Sequence, residues 1–175
     1  MIGGLEAAGP FPGLEKEMAL FGQFVGDWEI VEDRFIAGEH SGLVLKGELH
    51  WGWILGGRAT QDVWIMRGVA GKKEIAGSTV RFYDSRTGDW QSIWIAPSRG
   101  EARSFRARRE GESIILDGGG RETPERWIFY DIGRDEFRWR AEEQPAGDGE
   151  WVVTEVMQIR RIRGGASTGK APDSL

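Results

Sequence analysis

The stretch Leu43-Val44-Leu45-Lys46-Gly47-Glu48-Leu49-His50-Trp51-Gly52-Trp53-Ile54 decides the fold. Leu43, Leu45, Leu49, Trp51 and Trp53 share one parity, and Lys46, Glu48 and His50 share the other. Successive side chains of a strand point to opposite faces, so this segment reads as a strand with an apolar inner face and a polar outer one.

The same period runs outward from it in both directions. Nine tryptophans (Trp28, Trp51, Trp53, Trp64, Trp90, Trp94, Trp127, Trp139 and Trp151) fall roughly one to a strand-like segment. Large flat rings suit a pleated surface and can fill or line a wide β-shell. The pattern predicts strands near 27–36, 43–54, 58–67, 74–83, 90–96, 102–109, 112–117, 121–131, 135–143 and 151–162. Thr87-Gly88 and Asp148-Gly149 supply the positive φ of tight hairpins, and Gly71 and Gly111 do so in the same way. Gly118–Gly120 reads as a loop or a bent strand junction. Strands joined in sequence by short links make an antiparallel up-and-down meander, and a sheet this long avoids exposed edges by closing. The expected class is all-β, a closed or nearly closed antiparallel barrel of about ten strands.

Before the first strand, Leu14, Met18, Phe21 and Val25 recur at helical spacing, with Gly26 as a stop. One short helix over 14–25 is predicted, as a lid or base plug. Residues 1–13 read as a Gly- and Pro-rich arm, 14–163 as a single domain, and 164–175 as a flexible tail. A curved sheet gripping a long C-terminal helix is the main competing fold. Trp151, Val153, Glu155, Met157 and Ile159 alternate with Val152, Thr154, Val156, Gln158 and Arg160, which is strand periodicity and leaves no such helix. Arg81-Phe82-Tyr83-Asp84, with Trp90 six residues after the Asp, is echoed by Ile128-Phe129-Tyr130-Asp131 with Phe137 at the same distance; both read as hairpins.

At 39% hydrophobic residues the chain can bury a core, and with no cysteine it has no disulfide framework or thiolate chemistry. This composition fits a reducing cytoplasm. Met1 to Gly13 has neither a basic nor an apolar leader pattern, and no uncharged apolar run approaches the roughly 18 residues of a membrane helix. The net charge of −5 argues against nucleic-acid binding. Arg99, Arg103, Arg106, Arg108 and Arg109 are interspersed with Glu101 and Glu110 and read as a solvated strand face.

Phe24-Val25-Gly26-Asp27-Trp28, Leu55-Gly56-Gly57-Arg58, Arg81-Phe82-Tyr83-Asp84 with Thr87-Gly88, the segment from Trp90 to Trp94, and a last strand ending in Arg160-Arg161 resemble the calycin superfamily of lipocalins and fatty-acid-binding proteins. More specifically they resemble a bacterial lipocalin-like family of unknown function. The resemblance covers roughly residues 14–162 and implies that Trp28 packs beneath an arginine of the last strand, here assigned to Arg160, closing one end. One calycin relative, the haem-binding nitrobindin group, ligates iron through a late histidine. The two histidines here are His40 and His50, so nothing after Gly52 supplies an imidazole, and no cofactor is expected.

A small barrel either holds one ligand or is packed solid. The ligand cavity is the preferred reading, for a small hydrophobic or amphipathic molecule walled by indoles and oriented by one or two interior Arg or Tyr groups. The pocket residues expected are Trp51, Trp53, Arg58, Arg81, Tyr83, Trp94 and Trp139. No catalytic or metal motif is present, and the outward parity of His50 argues against it as a general base. Trp28, Ile30, Glu32, Arg34 and Ile36 share a face of the first strand. If Trp28 points inward, Glu32 and Arg34 follow it, and with Glu155 they support an alternative reading as a calycin-type isomerase, hydratase or hydrolase. Glu142 and Glu143 point to opposite faces and form no acid/base pair. A third reading is a packed module that associates through outer aromatic faces such as Trp64 or Trp127; a homodimer is plausible on general grounds.

Overall fold

Every strand pairs antiparallel with its neighbours in sequence, and the first pairs with the last, so the sheet closes on itself. The computed structural model describes residues 5–68, 72–118, 123–145 and 149–163. It contains α1 (Glu15–Gly22), β1 (Gly26–Phe35), β2 (Val44–Ile54), β3 (Ala59–Arg67), β4 (Lys73–Asp84), β5 (Asp89–Ala96), β6 (Glu101–Glu110), β7 (Ser113–Gly118), β8 (Glu125–Tyr130), β9 (Glu136–Glu143) and β10 (Val152–Arg161). The architecture is a ten-stranded antiparallel up-and-down barrel, all-β apart from one short helix and two 3₁₀ turns. Gly88 and Gly111 take the positive φ their hairpins require. The turn assigned to Gly71, most of the Gly118–Gly120 run, Asp148 and the tail at 164–175 lie outside the described residues. Among the described residues no helix is long and apolar enough to cross a membrane.

Residues 5–13 run along one end of the barrel, with the Ala7 N–H donating to the Trp53 carbonyl (3.0 Å) and the Phe11 N–H to Gly57 (3.0 Å). α1 then turns inward beneath that end and buries Met18 and Phe21 completely. Helical geometry stops at Gly22, short of Val25, because the chain's next polar groups have tertiary partners. The Trp28 indole N–H donates to the Phe24 carbonyl (2.6 Å), and the Arg161 guanidinium donates to the carbonyls of Gln23 and Val25 (3.0 Å each). The two hairpin echoes converge on this plug. Trp90 sits edge-on to Phe21 at 4.9 Å, and Phe137 lies 4.8 Å from Phe24.

The arginine that covers Trp28 is Arg161, its guanidinium carbon 3.9 Å from the ring centroid. Arg160, the expected one, points outward and pairs with Glu29 at 2.9 Å. The reason is register: Trp28 lies directly opposite Arg161, whereas Arg160 faces Glu29 on the other side of the sheet. Arg161→Ala is expected to lower unfolding free energy by about 2 kcal/mol, through loss of a stacked cation and its charged hydrogen bonds. Arg160→Ala should stay within about 0.5 kcal/mol. Urea denaturation of both distinguishes them, and equal effects would refute the assignment.

The inward parity of β1 is broken by a β-bulge. Between Ile30 and Asp33 the register slips by one residue against both β2 and β10. Trp28 and Ile30 face inward before the bulge, and Asp33 is buried after it. Glu32 and Arg34, expected inside, therefore pair with each other on the outer face at 2.8 Å. A bulge inserts one unpaired residue, and that reverses every later side chain.

Candidate functional site

The lumen is divided into a filled half and an open half. In the filled half, Phe21 of α1 and Phe24, two residues past its end, stack against Trp51 (6.3 and 5.1 Å between centroids). Beside them Arg81, 1% exposed, forms an ion pair with Asp62, which is fully buried, and lies 4.3 Å from the Trp51 ring. The Thr79 amide donates to the second Asp62 oxygen (3.2 Å). Burial pushes the Asp62 carboxyl up and the Arg81 guanidinium down, against the attraction that holds them together.

Four indoles separate this half from the open one. Trp64 lies 5.1 Å from Trp94 and 5.6 Å from Trp139, and Trp127 lies 6.0 Å from Trp94 and 5.4 Å from Trp139. The ring of contacts closes. Gly77 makes it possible, since a Cβ there would collide with the Trp94 indole and with the Ile95 carbonyl. The four rings form the floor of a cavity of about 520 Å³, within the roughly 300–1,000 Å³ range of small-molecule sites. The cavity reaches the rim at Glu39, His40 and Leu43. Two further bulges, at Ala76 of β4 and Thr154 of β10, also lie on its wall.

The expected pocket residues therefore separate. Trp94 and Trp139 line the cavity. Trp51 and Arg81 face inward but belong to the filled half. Trp53 packs on Gly22 of the helix, Tyr83 lies 6.1 Å from Trp90 on the same side, and Arg58 is exposed with its guanidinium 3.5 Å over Phe11. α1 is the physical cause, because it fills the lumen from the Trp28 end, and the cavity lies at the other. Trp64 and Trp127, considered as outer association surfaces, are cavity walls instead. His50 is on the outer face, 2.7 Å from Asp27, while His40 stands at the rim edge-on to Phe35 at 5.7 Å.

The charged groups of the cavity were mostly illegible in advance. Asp33 of β1 is 2% exposed and shares a side-chain hydrogen bond with Glu155 of β10, and no donor is paired with its Oδ1. Burial pushes the Asp33 carboxyl up to about 6, the hydrogen bond from Glu155 opposing it. Glu155 is raised well above its ordinary value, chiefly by burial and then by the Asp33 charge, with Arg99 and Arg103 pulling the other way. Arg103 bridges Glu125 (2.8 Å) and Glu101 (2.9 Å). Its inward direction had a sequence signal: it shares parity with Phe105 and Ala107, both buried, whereas Arg106 and Arg108 alternate with them on the outer face. Asp33 had none, since its parity depends on the bulge. The indole N–H groups of Trp64 and Trp139 are buried without partners, while that of Trp127 donates to Glu125 (2.8 Å).

Comparison with protein-family models finds no match, and comparison with curated proteins finds none either. Among solved structures, the crystal structure of Rv2717c from M. tuberculosis is similar in fold. It superposes with a TM-score of 0.60 at 14% identity, over 88% of this chain and 99% of that one. At that identity the likeness concerns the fold.

Proposed function

We propose that the protein is a lipocalin-like carrier that reversibly binds a small, largely apolar molecule in the open half of its barrel. The observation that carries this reading is the indole-floored cavity of about 520 Å³ in a barrel whose other half is solidly packed. Rings held by neighbouring rings offer large contact area with little side-chain entropy left to lose on binding. The polar wall around Asp33, Arg103 and Glu155 gives the ligand's polar end an orientation. A cytoplasmic location and a homodimer belong to the same proposal, the first favoured by the cysteine-free composition.

Titration with a panel of lipophiles, followed by indole fluorescence, tests the proposal. The expected result is saturable quenching by at least one class, weakened roughly tenfold in Trp139→Ala. A flat response across the panel, together with bare-chain masses in native mass spectrometry of protein purified from its own host, would refute it. Light scattering reports the assembly state.

A second reading, an acid/base enzyme of calycin type, is favoured by one observation. Asp33 and Glu155 form a hydrogen-bonded carboxyl pair on the cavity wall with both affinities for protons raised, a pattern found at sites of proton transfer. Turnover by the parent protein that is lost in Glu155→Gln with binding retained would select this reading over the carrier.

A further inference from the structure

We propose that the ligand is an organic cation, a protonated amine or quaternary ammonium on an apolar body, seated on the four-indole floor with its charge toward Asp33 and Glu155. This rests on the small-molecule reading above and names its ligand class.

The first support is the charge balance of the cavity. Among the described residues, Asp33, Glu39, Glu125 and Glu155 line it beside two arginines, Arg99 and Arg103. Both arginines are already engaged: Arg103 by Glu101 and Glu125, Arg99 by Glu101 at 3.4 Å. The second is unmet hydrogen-bonding capacity. Oδ1 of Asp33 and Oε2 of Glu125, in residues only 2% and 3% exposed, are buried acceptors without donors. Such groups cost free energy until a donor or a cation arrives. The third is the floor, because indole faces attract cations through the ring quadrupole, most strongly when water is excluded. An anionic amphiphile would meet like charge at the rim and on the wall. A neutral one would leave the orphaned oxygens as they are. Among the described residues, no His, Cys, Asp or Glu cluster has the arrangement of metal ligands, which favours an organic over an inorganic cation.

The charged groups around the pair come from every neighbouring element. Glu39 and His40 stand on the β1–β2 loop, Arg99 on the turn before β6, Glu101 and Arg103 on β6, Glu125 on β8 and Glu143 on β9. Asp33, raised to about 6, and Glu155, raised well above its ordinary value, bind protons more tightly than ordinary carboxyls, and an arriving cation displaces them. Affinity therefore rises with pH, by up to about tenfold per unit.

The experiment uses the full chain and three probes of similar shape: benzyltrimethylammonium, its neutral carbon isostere neopentylbenzene, and 3-phenylpropanoate. Calorimetry and indole quenching are read at pH 6 and pH 8. The expected order is cation over neutral by at least tenfold, with the anion weakest and the cation's preference larger at pH 8. Asp33→Asn and Glu155→Gln should each weaken the cation about tenfold and change the neutral probe less than twofold. Both remove a charge that burial disfavours, so both should fold at least as stably as the parent, and thermal melts confirm it. Equal or tighter binding of the neutral or anionic probe would overturn the cation assignment and leave the carrier reading standing. No binding of any of the three would overturn both.

Discussion

Asp62→Asn is expected to lower unfolding free energy by about 3–5 kcal/mol. The change preserves shape and removes one charge, leaving the Arg81 guanidinium at 1% exposure with no counterion. The nearby faces of Trp51, Phe21 and Phe129, at 4.3, 5.2 and 5.7 Å, soften that cost but supply no hydrogen-bond acceptor along the guanidinium edge. Replacing both members together, Asp62→Leu with Arg81→Met, should recover most of the loss, because the desolvation of both ions disappears along with their attraction. Guanidinium denaturation at neutral pH measures both variants. A single substitution costing less than about 1 kcal/mol would show that the pair is not sealed from water as its burial implies.

The second large effect is a stability that falls as pH rises above about 4. In the unfolded chain Asp33 titrates near its ordinary value of 3.8, and in the barrel burial raises it to about 6. Between those values the folded state holds more protons than the unfolded one, so raising the pH favours unfolding. Two units correspond to about 3 kcal/mol, fully lost once the pH exceeds the folded value. Glu155, raised by burial and by its neighbour, adds to the same slope. Unfolding free energies at pH 5 and pH 8 should therefore differ, with pH 5 the more stable. In Asp33→Asn and Glu155→Gln the slope should flatten and stability at pH 8 should rise. A profile that is flat, or rises from pH 5 to pH 8, would refute the placement of these carboxyls in a low-dielectric wall.

The two buried pairs occupy opposite halves of one lumen. The Asp62–Arg81 pair is matched in charge and sealed by packed rings. The Asp33–Glu155 pair, the orphaned oxygen of Glu125 and the unpartnered indoles of Trp64 and Trp139 instead line open space, where a bound molecule can reach them.

Much of the fold was legible from period and turn chemistry. The strand expected at 43–54 occurs at Val44–Ile54, the others with observed bounds differ from expectation by a few residues at most, and the C-terminal alternation from Trp151 onward is a strand. Side-chain alternation is local, so inward parity could be read for Trp51, Trp94 and Trp139 from their own segments. Three things were not local. The bulge in β1 exchanges Glu32 and Arg34 for Asp33, and a one-residue insertion against two partner strands leaves no trace in the apolar pattern of β1 itself. The choice of Arg161 over Arg160 rests on which residue lies opposite Trp28 when the barrel closes. And the division of the lumen follows from α1 entering at the Trp28 end, which turns Trp51 and Arg81 into core while Trp64, Trp94, Trp127 and Trp139 face open space. Alternation along a strand tells a side chain which face of the sheet it occupies; how far down the barrel another element reaches to cover it is decided only by tertiary contact.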